Sequence, residues 1–294
     1  MRRLPFALPD FIRVAWVSDR AREVWEPRVR RLSRIWSAVE WLSVAAGLRP
    51  CAILRLSEQR LAHLEPRWRA LSLDIARLSD AAAPLRVGLG SPPEVDELRA
   101  AWKHRAHDAI GALLGYPDCC REFFLATSIQ RSFADPTWFM ANGSSAEAGR
   151  VAVTVSGHPH ANVLWRRLGV RLVPHLPCAF DCPATIDLGR HLLTVVDGMG
   201  GTAESNLFRE MLSWPVEWSS LHGISETKTP ILKMSSNTDA IDTKVVVRLS
   251  GTGYPDEGAT GMGFPYRTRV VPPGRVVAYR RGLENQLGSA RRSL

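Results

Sequence analysis

His175-Leu176-Pro177-Cys178-Ala179-Phe180-Asp181-Cys182-Pro183-Ala184-Thr185 is where this chain changes character. Proline suits the first turn of a helix, so Cys182-Pro183 marks a helix start, and Ile186, Leu192, Leu193 and Val196 continue one apolar face as far as Gly198. Before this stretch the apolar residues recur at helical spacing; after residue 210 the period becomes two. Residues 216–224, 229–235, 243–250 and 269–277 read as strands between turn residues, with Pro272-Pro273 interrupting the last. Helices first and strands last imply an α+β class, with an antiparallel sheet packed on the helix that opens at residue 182.

Working outward, residues 9–80 read as mainly helical, Trp25, Val29, Leu32 and Trp36 forming a stripe that Gly47 stops. A strand fits Cys51-Ala52-Ile53-Leu54, and Ser57 caps a helix expected to run through Leu61, Leu64, Trp68, Leu71 and Ile75. Residues 85–90 read as a short strand, and the break near 81–93 is the expected domain boundary. This gives a helical region over 1–90, a cysteine-enzyme domain over 91–280 and a basic tail over 281–294. Pro92-Pro93 open a helix expected to continue to Leu114, and Pro117-Asp118 open another that carries Cys119-Cys120. Residues 132–160 look irregular, 162–168 helical and 170–173 extended.

With 294 residues, 45% apolar and 23% charged, the composition excludes long disorder, collagen-like repeats and a coiled-coil rod. The apolar stretch 35–48 carries Glu40 and is too short to span a bilayer, so no membrane partner is expected. Pro5, Pro9 and Asp10 interrupt what would be the apolar core of a signal peptide, so the expected location is cytoplasmic. The net charge of +9 is concentrated at the ends: ten Arg against five acids in residues 1–50, seven Arg against one Glu in 267–294. Trp16, Trp25, Trp36 and Trp41 recur at core-packing spacing rather than as a base-stacking platform, which disfavours nucleic acid. Five cysteines, an odd number with two adjacent, do not suggest a disulfide framework; the thiols point to chemistry, metal or burial.

A thiol becomes a nucleophile when a helix N-terminus stabilises its thiolate, and both cysteine pairs stand at such starts. The missing base is expected from the late strands. With Lys228-Thr229 as the turn, His222 faces Ser235, and Asn237 and Asp239 leave the next strand beside the imidazole. Cysteine, histidine and an amide or acid then form a triad, the third member fixing the tautomer of the second. Pro183 favours Cys182 as nucleophile; Cys178, with Asp181 three residues on, is the alternative. Trp218 is a candidate pocket wall, and the loop 251–263, flanked by Tyr254 and Phe264, a candidate cover.

Four stretches, Gly115-Tyr116-Pro117-Asp118-Cys119-Cys120, His175 to Cys182, Leu221-His222-Gly223-Ile224-Ser225-Glu226-Thr227-Lys228-Thr229-Pro230 and Gly261-Met262-Gly263-Phe264-Pro265-Tyr266-Arg267, together resemble a prokaryotic family. That family includes the amide-forming enzyme of closthioamide biosynthesis. The resemblance implies a papain-like or transglutaminase-like core and a Cys-His-Asp triad that joins an acyl thioester to an amine. Its residues here would be Cys182 or Cys178, His222 and Asp239, with an acyl carrier protein or small-molecule thioester as partner and no cofactor. Thiol hydrolysis is the runner-up. A zinc site using His175, Cys178 and Cys182, with Cys119, Cys120 or His222 as fourth ligand, is the alternative of a different class.

Overall fold

The structure, a computed structural model, describes residues 12–79, 84–144 and 151–258. Ser18 accepts a hydrogen bond from the backbone of Ala21 (3.0 Å) and so caps α1 (Asp19–Ala45). The helix buries Trp25, Val29, Leu32, Trp36 and Val39 along one face, and Gly47 turns the chain at φ +70°. This confirms the expected stripe. The segment before it is not helical: β1 (Ile12–Trp16) takes an edge position in the main sheet, paired with residues 232–236.

Three strands follow, two of them where strands were expected and one, over residues 74–77, where helix was expected. They are β2 (Cys51–Leu56), β3 (Asp74–Arg77) and β4 (Leu85–Gly90), joined in the order β2-β4-β3 as an antiparallel sheet. Between β2 and β3, α2 (Glu58–Ala70) is capped by Ser57 as expected but stops before Ile75. Ser72 adopts φ +58°, which ends helical propagation and lets residues 74–77 pair with β4. The expected 94–114 helix is likewise two helices, α3 (Pro92–Lys103) and α4 (His107–Leu113), broken at Arg105 with φ +53°. Val95 and Leu98 of α3 pack with Cys51, Ala76 and Leu78 of the small sheet. Helix α3, which follows the expected boundary near 81–93, thus packs on the small sheet.

The later half holds α5 (Asp118–Phe124), α6 (Thr137–Gly143), β5 (Ala152–Val155), α7 (Pro183–Gly198) and α8 (Thr202–Leu212). Residues 132–160 are thus more regular than expected, 162–168 contain only a short 3-10 turn, and 170–173 form no strand. Strands β6 (Val216–Leu221), β7 (Ile224–Lys228), β8 (Leu232–Asn237) and β9 (Val245–Leu249) complete a sheet of order β1-β8-β7-β6-β9-β5. It is antiparallel except where β5 runs parallel to β9. Its core joins Trp25 and Trp36 of α1, Leu192, Leu193 and Val196 of α7, and Trp218, Met234 and Val247 of the strands. The α+β class holds. The expected strand 269–277 lies outside the described residues.

Candidate metal centre

Four sulfurs meet at one point. Pro117 precedes α5 and puts Cys119 and Cys120 in its first turn. Cys178 opens a tight turn in which the backbone of Cys182 donates to the Ala179 carbonyl (3.3 Å), and Cys182 then caps α7 ahead of Pro183. The Sγ atom of Cys182 lies 3.7 Å from that of Cys119 and 3.8 Å from that of Cys120, which are themselves 3.9 Å apart. Cys178 completes the group, all four sulfurs lying within 4.8 Å of one another. Its backbone N–H also donates to Cys120 Sγ (3.4 Å).

The surroundings hold this cluster in place. Thr185 Oγ1, on α7, lies 3.2 Å from Cys120 Sγ and 3.0 Å from His175 Nε2. His175 is buried beside the Tyr116 ring (5.1 Å between centroids), and desolvation pushes its pKa down to about 4, so the imidazole is neutral. Charge gathers on Cys182, whose thiol is held well below the usual range by hydrogen bonds from Cys120 and Cys178. Hydrogen bonding to Cys120 and Cys182 pushes Cys178 up. Cys120, drawn down by Cys178 but pushed up by Cys182 and by burial, ends at about 12. Four thiols at this spacing can all ionise only around a cation.

The expected metal set, His175, Cys178 and Cys182 with Cys119, Cys120 or His222 as fourth, overlaps this group in part. Cys178 and Cys182 are present, but both members of Cys119-Cys120 join them, while His175 stands behind Thr185 and supports the sulfurs indirectly. The signal was in the sequence: two cysteine pairs, each at a proline-marked helix start. The fifth thiol, Cys51, is a core residue whose Sγ donates to the Glu94 carbonyl (3.5 Å) and whose pKa burial raises to about 12.

The expected triad is not assembled. The chain turns close to the expected Lys228-Thr229, in a loop over 229–231 that closes the β7–β8 hairpin with Ser235 opposite Glu226 rather than His222. An additional turn at His222-Gly223 ends β6 and lies beside 238–241, the Gly223 carbonyl accepting from Thr238 (2.9 Å) and the His222 N–H donating to the Ile241 carbonyl (2.9 Å). Both turn residues have positive φ, +48° and +80°, the signature of a two-residue turn matched to strand twist. His222 is consequently an exposed tip. Asp239 is buried, and its carboxylate accepts the backbone N–H groups of Ala134 (3.0 and 2.9 Å) and Asp135 (3.0 Å). Asn237 ends β8 opposite Ile224, and its carbonyl accepts from Arg167 (3.4 Å).

Two internal rulers separate that end from the cysteines. A side chain at Gly157 would meet both Leu249 (2.3 Å) and Phe180 (3.2 Å), so the 178–182 turn sits by Leu249, the partner of Val216 at the start of β6. His222 follows the other end of β6, roughly 17 Å along the strand. Likewise Cys120 opens the helical run that reaches Gln130, roughly 15 Å long, and Ala134, which binds Asp239, lies beyond it.

The candidate pocket residues also have other roles. Trp218 is 1% exposed and packs in the main core. Tyr254 is 49% exposed on a loop tied back to α1 by the Trp25 Nε1 hydrogen bond to Glu257 (3.1 Å). Phe264 lies outside the described residues. Among the described residues no helix is long and apolar enough to cross a membrane. No family model, curated protein or solved structure matches this chain.

Proposed function

We propose that the chain is a zinc-binding protein in which Cys119, Cys120, Cys178 and Cys182 are the ligands. One observation carries the reading. Zinc bound to thiolates at about 2.3 Å in a tetrahedron requires sulfurs about 3.8 Å apart, and three of the spacings here are 3.7, 3.8 and 3.9 Å. The donor chemistry agrees, since soft thiolates in a tetrahedral set select zinc over hard cations. Thr185 and His175 supply the outer hydrogen bonds that orient such ligands. With four protein sulfurs the coordination sphere is closed, so the metal supplies cross-linking rather than an activated water. It would tie α5 to the 178–182 turn and to the start of α7.

Elemental analysis of the purified chain tests this. One zinc per chain is expected, lost in Cys120→Ser and in Cys182→Ser, and cobalt substitution should give the absorption of a tetrahedral tetrathiolate. A metal-free chain with four freely alkylated cysteines would overturn the proposal.

One observation favours a second reading: Cys182 caps α7 and is the thiol whose pKa is lowered. In that reading, the papain-like acyl transfer that the sequence resembles, Cys182 Sγ attacks a thioester carbonyl. The donor thiol leaves, an amine takes the acyl group and the Cys182 sulfur is released. The acyl donor is a carrier protein or small-molecule thioester. Alkylation separates the two readings: zinc protects all four cysteines together, whereas a nucleophile reacts alone and fast at Cys182.

A further inference from the structure

Beside the cysteine cluster runs a cleft with two lobes. One lobe, of about 760 Å³, is lined by Cys120, Arg121, Phe124, His175, Trp102 and Arg105 among others. The second, of about 710 Å³, shares Arg86, Trp102, Tyr116 and Phe124 with it and extends to Arg55, Arg49 and Arg171. The cleft therefore lies between the small sheet and the cysteine-bearing elements, and its walls are aromatic and cationic.

The charge in it is not balanced from within. Arg121 is paired with Asp108 (2.9 Å) and Asp118 (3.0 Å), and Arg171 with Glu40 (2.9 Å). Arg49 is buried and its hydrogen bonds go to neutral oxygens, Ser43 Oγ (2.9 Å) and the Glu40 carbonyl (2.6 Å). Arg55 and Arg86 stand directly opposite each other on β2 and β4, and among the described residues no carboxylate pairs with either or with Arg105. Like charges directly opposed across two strands destabilise a sheet. Arg105 adds a backbone cost of its own, holding the left-handed φ of +53° at the α3–α4 break. Arg55, Arg86 and Arg105 are exposed at the mouth of the cleft, Arg86 lining both lobes, Arg55 the second and Arg105 the first, and guanidinium groups gathered there without a carboxylate partner suit an anion.

We propose that this cleft binds a small molecule with a phosphate or carboxylate group held by Arg55, Arg86 and Arg105 and a flat apolar body laid against Trp102, Tyr116 and Phe124. Guanidinium forks grip either oxyanion in bidentate fashion. Partly exposed aromatic rings supply the rest of the contact. The site does not depend on the identity of the metal, since its test reads binding rather than metal content.

The experiment uses the full chain as purified with its metal, and two probes: N-methylanthraniloyl-ADP for the phosphate arm and 2-naphthoate for the carboxylate arm. Binding is followed by calorimetry and by quenching of tryptophan fluorescence, at low and at raised salt. Saturable binding of at least one probe is expected, weakened by salt, and the arm that binds more tightly names the anion. Arg55→Ala and Arg86→Ala should each weaken it about tenfold or more, while Arg69→Ala, which removes a guanidinium paired with Glu65 outside the cleft, should not. Arg86→Lys should lose part of the affinity by keeping charge without the fork. Without probe, the Arg55→Ala chain should melt no lower than the parent, because a repulsion has gone; a purely structural arginine would lower it. Absence of binding by both probes, or affinity unchanged in the double Arg55→Ala/Arg86→Ala chain, would overturn the proposal.

Discussion

The two ends of β6 present opposite uses of the same kinds of residue. At the Val216 end, sulfurs from three separate places converge, and their contacts are to one another. At the Leu221 end a histidine occupies a turn and a carboxylate is consumed by the backbone of Ala134 and Asp135. The carboxylate holds buried N–H groups of another segment, while the imidazole sits at an exposed hairpin tip. Residue type and chain order are shared by a catalytic triad and by these two unrelated local solutions. Only the hairpin register tells them apart.

The contrast can be broken most forcefully at the cysteine end. Cys182→Ser should abolish stoichiometric zinc and cost at least ~3 kcal/mol of stability, measured by denaturant unfolding with parallel metal analysis. His222→Ala should leave zinc content unchanged. A variant at Cys182 that keeps full zinc and full stability would dissolve the distinction between the two ends.

Next in size is Asp239→Ala. It strands the Ala134 and Asp135 N–H groups in a buried place and should cost about 2–4 kcal/mol, with zinc retained. Unfolding curves on the metal-loaded chain decide it. If Asp239 were instead an active-site acid held in strain, its removal would be neutral or stabilising.

What could be read from residues alone follows the strength of the local signal. α7 was legible to the residue, because Pro183 fixes its start, Gly198 ends it and the apolar face between them is continuous. The α1 stripe was legible for the same reason. β1 and β3 were not, being five and four residues long, too short for a period of two to outweigh a neighbouring helical rhythm. The hairpin register failed on a specific point. His222-Gly223 looks like strand because it sits between apolar residues, yet a glycine after a residue able to enter the left-handed region is also a two-residue turn. The extra turn at 222–223 gives β6 the partner β7, and the loop over 229–231 sets a β7–β8 register in which Ser235 faces Glu226, so His222 no longer stands opposite Ser235. The zinc alternative joined one of Cys119 and Cys120 to Cys178 and Cys182, but not both of them, since nothing local encodes which residues near 120 reach residue 182.

A smaller effect separates the histidines by pH. His160 packs its side chain against Gly189 of α7, where a Cβ would lie 2.8 Å away, and burial beside His158 lowers its pKa to about 4. The unfolded chain binds the proton nearer pH 6.5, so the stability held by the neutral ring is present above about 6.5 and is lost as the pH falls toward 4. Urea midpoints at several pH values across that window should fall more steeply for the parent than for His160→Gln. Comparing the two chains at each pH cancels the loss of zinc that acid also brings. Equal slopes would mean the ring is solvated rather than packed.

The smallest expected effect comes from the residue that the sequence made most prominent. At φ +48° His222 holds a conformation that asparagine tolerates better and that pairs with Gly223 in the favoured Asn-Gly hairpin. His222→Asn should therefore stabilise the chain by about 0.5–1 kcal/mol, read as a higher melting temperature, while zinc content and probe binding in the cleft stay as they were. A residue kept for catalysis at a strained position would show the same gain in stability but lose every turnover. The comparison thus turns on assaying acyl transfer from a thioester to an amine in this one variant, where activity that survives removal of the imidazole excludes His222 as the base and leaves the turn as its whole role.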